Sequence, residues 1–183
     1  MKQLFFVLSI LLIARSIACY DLDDLKEAIE NKDLEEITKI VTQDKNLLEK
    51  EDQLGRTPLH YAIEKSFDKG IVYLLDQGAN IVAKDEQEQT PLHLALERYA
   101  QKLDNLYPNT IDQSNMRDII MLLVERGAPQ VLHEVDNKLL TPAQYAQKRK
   151  SIMSRGREPM QDIITLLNLA ELSSDLHLLS QKL

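Results

Sequence analysis

Thr57-Pro58-Leu59-His60-Tyr61-Ala62 recurs as Thr90-Pro91-Leu92-His93-Leu94-Ala95, 33 residues further on. A fixed period of that size belongs to chains built from one small unit stacked on itself, because no single unit can bury its own apolar side. A degenerate third copy, Thr141-Pro142-Ala143-Gln144-Tyr145-Ala146, follows after one period plus an insertion of 18 residues. Five residues ahead of each Thr stands an Asp: Asp52, Asp85 and Asp136. Residues 71–79 align with residues 120–128, with Gly78 and Gly127 in register. Upstream, Leu25-Lys26-Glu27-Ala28 followed by Ile37, Ile40 and Val41 reads as a first copy without its Thr-Pro. Downstream, Ile163-Ile164-Thr165-Leu166-Leu167 reads as the second helix of a fourth.

Local chemistry gives each copy two helices. Thr57, Thr90 and Thr141 suit the N-cap, where the hydroxyl accepts a bond from an early helical N–H. The following Pro suits the first helical position, since its missing N–H has no partner there anyway. Gly78 and Gly127 fall where a left-handed residue closes the second helix. Ala28, Ala62, Ala95 and Ala146 permit close packing. Leu59, Leu92, Leu74, Leu75, Leu122, Leu123, Leu166 and Leu167 supply one continuous core. The class is all-α.

The repeated Thr-Pro-Leu-His, the aligned glycines and the 33-residue interval resemble ankyrin repeats over roughly residues 22–170. A tetratricopeptide array needs a period of 34 and a different aromatic pattern. The resemblance implies a solenoid of about four helix-turn-helix repeats with short β-turn fingers. Repeat boundaries fall near 22–51, 52–84, 85–135 and 136–170, within a domain of residues 19–183 closed by a C-terminal cap at 171–183. Lys32 and Ser66 stand where the family carries Gly between helices, and Glu88 and Leu139 replace the turn Gly that Gly55 keeps. A left-handed non-Gly residue costs about 1 kcal/mol. Charged Asp23, Asp24, Lys26, Glu27, Glu35 and Glu36 give the first repeat a solvated outer face.

Residues 1–18 read as a signal peptide. Lys2 precedes an apolar run at residues 4–14, broken only by Ser9 and ended by Arg15. Eleven helical residues span roughly 16 Å, about half a bilayer core. Ser16 and Ala18 place small residues three and one before a cut after Ala18. Cys19, the one cysteine, would then head the mature chain. Ser16-Ile17-Ala18-Cys19 resembles a loose bacterial lipobox, with Ser16 in place of the usual Leu. Lipidation of Cys19 and an ordinary signal peptide with a chance cysteine are both open. An exported repeat body free of other cysteines resembles small exported bacterial proteins of this family, periplasmic or secreted, with membrane contact only through the signal segment or a Cys19 anchor.

Two insertions stand out. Residues 99–116 hold Leu103, Leu106, Tyr107, Pro108 and Ile111, read as lengthening the first helix and looping back with exposed apolar groups. Lys148-Arg149-Lys150 and Arg155-Gly156-Arg157 form a basic loop between the helices of the last repeat. Catalytic residues, metal ligands and cofactors are not indicated. His60 and His93 lie one repeat apart rather than on one helix face, and no ligand spacing accompanies them. No Gly-x-Ser-x-Gly, phosphate-binding loop or His-Glu-x-x-His occurs. A net charge of −7 argues against nucleic acid. In the family, the His of this motif organises its turn by hydrogen bonding.

The resemblance implies a non-enzymatic, monomeric protein–protein interaction module whose partner, another protein, meets the concave face of turn tips and first helices. Carried over by position, the finger contacts are Gln53, Leu54 and Arg56; Glu86, Gln87 and Gln89; and Asn137, Lys138 and Leu140. First-helix contacts are Glu64, Lys65, Glu97, Arg98, Gln147 and Lys148. The acids Asp85, Glu86 and Glu88 of the middle finger point to a basic patch on the partner. Two alternatives are an envelope tether anchored at Cys19 and an enzyme or toxin whose site is built by residues 99–116.

Overall fold

Pro58, Pro91 and Pro142 each open a helix at the first helical position, with a Thr before them. The computed structural model describes residues 20–104, 110–127, 129–153 and 157–180. In chain order these hold α1 (Leu22–Glu30), α2 (Leu34–Gln43), a 3₁₀ turn (Lys45–Glu49), α3 (Pro58–Glu64), α4 (Asp68–Asp76), α5 (Pro91–Asp104), α6 (Thr110–Gly127), α7 (Gln130–His133), α8 (Pro142–Ile152) and α9 (Arg157–Ser180). No strand occurs among the described residues. Residues 1–19, and with them the signal segment and Cys19, lie outside this set.

The pairs α1–α2, α3–α4, α5–α6 and α8–α9 stack in order, first helices on first helices. Where the first pair lacks Thr, Asp caps instead: Asp21 accepts from the N–H of Asp23 and Asp24 at 2.9 and 3.1 Å, and Asp33 from Glu36 N–H at 3.0 Å. Leu25, Ile37, Leu59, Ile71, Leu92 and Met116 are fully buried in one contiguous core running through all four pairs. Each interface buries the apolar flank that a lone pair would expose.

Backbone handedness follows the repeat even where the residue does not. Lys32 (φ 55°), Ser66 (φ 50°), Glu88 (φ 57°) and Leu139 (φ 60°) are left-handed, alongside Gly55 (φ 69°) and Gly78 (φ 97°). Gly127 departs from its expected role. It is the last residue of α6 without a positive φ, and what it supplies is room: an added Cβ would sit 2.4 Å from Val131 Cγ1 and 2.9 Å from Ile81 Cδ1.

Both insertions are more helical than expected. α5 has 14 residues against 7 in α3, and α6 has 18 against 9 in α4. The insertion therefore lengthens both helices, by about two turns in α5 and about two and a half in α6. Leu103, expected to be exposed, is buried with Tyr99 and Met116; Leu106, Tyr107 and Pro108 lie outside the described residues. Lys148, Arg149 and Lys150 belong to α8 rather than to a loop, and Lys150 Nζ donates to Gln161 of α9 at 2.5 Å; Arg155 and Gly156 lie outside the described residues. The tail continues α9 to Ser180, leaving Leu169 and Leu172 exposed; nothing breaks the helix after Ala170, so it propagates.

Candidate functional site

Three fingers precede the first helices of the last three pairs, and each is organised by its Asp. Asp52 Oδ1 accepts from the N–H groups of Leu54 and Arg56 at 2.8 and 2.9 Å. Asp85 does the same for Gln87 and Gln89 at 2.8 and 2.9 Å, and Asp136 for Lys138 and Leu140 at 2.9 and 3.0 Å. Each Asp N–H then donates 3.1 Å to the carbonyl four residues on, closing the finger. The left-handed residue three after the Asp turns the tip. Glu86 N–H donates to Leu54 O at 2.9 Å and Asn137 N–H to Gln87 O at 3.1 Å, so the fingers form a short ladder.

The buried histidines fasten fingers to helices. Thr57 N–H donates to His60 Nδ1 at 3.2 Å, and His60 Nε2 lies 3.3 Å from Gln89 O of the next finger. Thr90 N–H reaches His93 Nδ1 at 3.4 Å, and His93 Nε2 lies 3.1 Å from Leu140 O. A carbonyl only accepts, so Nε2 carries the proton and Nδ1 is the acceptor. Neutral imidazole is therefore the fitting form, and burial pushes both rings below the usual histidine pKa. Thr57 and Thr90 also set their hydroxyls 3.0 and 2.9 Å from Nδ1. Thr57 and His60 thus form a reciprocal capping box. At Thr141 the box holds Gln144 in place of the histidine, and the hydroxyl accepts Gln144 N–H at 3.4 Å.

Fingers and first helices bound an open groove of about 520 Å³. An ion network runs along its floor. Arg56 donates to Asp52 (3.0 Å), to the Tyr61 hydroxyl (2.8 Å) and to Glu64 (2.8 Å). Glu64 also takes Arg98 at 2.9 Å, Arg98 donates to Gln101 at 3.2 Å, and Gln101 to Glu97 at 2.8 Å. Glu97 accepts the Tyr145 hydroxyl at 2.5 Å and pairs with Arg149 at 2.9 Å. Burial works against the charge on Asp52. The Tyr61 hydroxyl, two backbone N–H groups and Arg56 outweigh it and hold the carboxyl well below the usual range. Burial, then the Glu97 carboxylate, pushes the Tyr145 phenol up. Both tyrosines pack across repeats: Lys26 lies 4.8 Å over the Tyr61 ring, and Tyr145 meets His93 edge-on at 5.6 Å.

Of the residues carried over from the repeat pattern, Leu54, Arg56, Glu64, Glu86, Gln87, Gln89, Glu97, Arg98, Lys138, Leu140 and Lys148 line this one groove. Four do not. Gln53 faces a separate hollow beside Lys26 and Tyr61. Lys65 turns to Glu30 of the first repeat. Asn137 contributes its backbone to the ladder. Gln147 faces α9 in a polar cavity with His133, Glu171 and Asp175. Missed were Leu94, Gln101, Tyr145, Arg149 and Ile152. Leu94, Gln101, Tyr145 and Ile152 sit three or four positions from Glu97, Arg98 or Lys148, and Arg149 four from Tyr145, so helical spacing identifies them. Glu88 leans to Lys84 (3.6 Å), which also holds Glu134 (3.1 Å), away from the groove.

Among the described residues no group of His, Cys, Asp or Glu could hold a metal ion, and no helix is long and apolar enough to cross a membrane. A family profile described as Ankyrin repeats (3 copies) matches residues 25–115. The chain is similar to an ankyrin repeat protein of fowlpox virus (strain NVSL), 31% identical over 114 residues, covering 54% of this chain and 79% of the viral one. It is similar to inversin of Gallus gallus, 30% identical over 128 residues, 70% of this chain but 10% of inversin. It is also similar to the transient receptor potential cation channel subfamily A member 1 of Homo sapiens, 36% identical over 64 residues, covering 34% of this chain and 6% of the channel. The solved ankyrin repeat domain of Bcl-3 superposes with a TM-score of 0.53 at 21% identity, over 66% of this chain and 45% of that one. That last likeness concerns the fold.

Proposed function

The chain belongs to the ankyrin-repeat family, whose arrays serve protein–protein interaction, and on that premise we propose that it is a non-enzymatic binding module gripping another protein in the groove between fingers and first helices. The observation that carries the assignment to this face is the convergence of eleven repeat-pattern positions on one groove. The ladder and the two histidines hold the finger backbones in place, so the tips are presented without further ordering on binding. The floor network satisfies its own charges and offers no free nucleophile, acid and base together. The module acts as a monomer in an exported compartment, to which the apolar run at residues 4–14 directs it, with Cys19 as a candidate lipid anchor.

Three measurements test this. Co-purification with quantitative mass spectrometry compares the wild type with Leu54→Gln plus Gln87→Ala, exposed positions that take part in no side-chain pairing. A partner lost from the variant, with the thermal melt unchanged, supports the groove; an identical partner set refutes it. Residues 1–25 fused to alkaline phosphatase report export through phosphatase activity, and lack of activity removes that part. Loss of metabolic acyl labelling in Cys19→Ala separates the anchor from a plain signal segment.

A further inference from the structure

The groove lining contains five basic residues, Arg56, Arg98, Lys138, Lys148 and Arg149, against four acids, Glu64, Asp85, Glu86 and Glu97, in a chain whose net charge is −7. The pairing within it is uneven. Glu64 is shared by Arg56 and Arg98, and Glu97 by Arg149, Gln101 and Tyr145, so both floor carboxylates are occupied. Asp85 holds its own finger. Lys138, on the third finger, and Lys148, on α8, are exposed and have no ion pair among the described residues. Beside them stand apolar surfaces: Ile152 at 66% exposure, Leu140 and, at the other end of the groove, Leu54 at 49%.

We propose that the occupant of the groove is an acidic amphipathic segment of the partner protein, its apolar side chains lying between Leu54 and Ile152 and its carboxylates meeting Lys138 and Lys148. This rests on the groove reading above and reverses the partner charge expected from the middle finger. That expectation counted Glu88, which the structure turns to Lys84. A basic segment would find Glu86 as the one exposed carboxylate of the lining left unpaired among the described residues, the floor carboxylates being occupied, and would meet two unpaired ammonium groups at the fourth repeat. An acidic one meets free cations at one end and leaves the network intact. Complementarity of this kind fixes orientation and register more than raw affinity, so the segment has one polarity in the groove.

The test uses a displayed library of random 12-residue peptides selected on the purified full chain. The expected result is enrichment of sequences pairing Asp or Glu with Leu-like residues. A synthetic peptide of the enriched sequence then binds about tenfold or more weakly to K138E/K148E, weakens as salt rises, and keeps its affinity for K138R/K148R. Circular dichroism melts establish that each variant is folded. Enriched sequences that are basic or neutral, or binding to K138E/K148E within about twofold of wild type, overturn the proposal. L54Q/I152Q separates the two levels. Binding that it abolishes and K138E/K148E spares leaves the groove and removes the acidic partner. Binding that ignores both pairs of changes, or no enrichment at all, removes the groove as well.

Discussion

Replacing Gly55 by Ala adds one methyl group to a finger tip, and its consequence differs from that of any other left-handed position. The φ of 69° disfavours any side chain, by about 1 kcal/mol, nearly offset by about 0.4–1 kcal/mol from a stiffer unfolded chain. The second contribution decides the sign. The new Cβ would lie 2.9 Å from Glu86 N, 3.1 Å from Asp85 C and 3.2 Å from Asp85 Cα, all backbone atoms of the next finger. Ordinary contact needs roughly half an ångström more. The fingers are held together there by Glu86 N–H to Leu54 O at 2.9 Å, so separating them weakens a bond worth about 0.5–1.5 kcal/mol. The expected loss is about 1–3 kcal/mol. Leu139→Gly is the control at the same turn position of the third finger. Its φ is 60°, its side chain is 78% exposed, and among the described residues no finger lies beyond it. Removing the left-handed strain there gains about 1 kcal/mol, nearly offset by about 0.4–1 kcal/mol from a looser unfolded chain, so its stability should stay close to wild type. Urea titrations followed by circular dichroism at 222 nm should lower the Gly55→Ala midpoint and leave that of Leu139→Gly nearly unmoved, at constant slope. A Gly55→Ala midpoint equal to wild type, or one lowered no further than that of Leu139→Gly, would falsify the ladder as a stabilising contact.

His93→Ala leaves Thr90 N–H unpaired in the core, takes from Leu140 O one of its two donors and opens a cavity, and should cost about 2–4 kcal/mol, read from the same titration. The pH dependence has a definite sign: His60 and His93 are depressed in the fold, so the unfolded chain binds more protons below about pH 6.5. Stability is then complete above that pH and falls as pH drops toward the folded values, by at most about 1.4 kcal/mol per pH unit per ring. A flat profile between pH 7 and 5 contradicts this. Gly127→Ala should destabilise by about 1–3 kcal/mol through overpacking against Val131, and Val131→Ala should restore much of that loss in the double variant. Leu140→Arg should supply Asp136 Oδ2, a buried oxygen with no partner, with the guanidinium that Asp52 receives from Arg56, raising the melting temperature.

The parts that were legible in the sequence are those where backbone demand dominates. Thr-Pro placed the starts of α3, α5 and α8 to the residue, and the period flagged Lys32, Ser66, Glu88 and Leu139 as occupying left-handed places. Chain geometry there is set by neighbours on both sides, and a side chain of the wrong type is carried along. Less legible were roles decided by contact. Gly127 looked like a second Gly78 because the pattern records a glycine, not the Val131 methyl lying against it. The hydroxyls of Thr57 and Thr90 read as simple caps, but each also meets the ring of a histidine from the same motif, which accepts the threonine's own N–H. Lys148–Lys150 looked like a loop because the charges hide a helix face, while Arg149 in fact reaches Glu97 of the preceding repeat. In the groove, finger positions transferred well, but the third turns of α5 and α8, with Gln101 and Ile152, needed helical phase as well as motif register.

The doubled helices of the third unit carry a consequence for how the chain acquires order. In a row of units that touch only their neighbours, structure spreads outward from the unit best able to stand by itself. α5 and α6 give that unit a longer internal seam than the pair before it, including Tyr99, Leu103 and Met116. The expected order has the array zip outward from this unit, and native-state hydrogen exchange should then find its amides, and those of the fingers on its two sides, slower than those of the first pair.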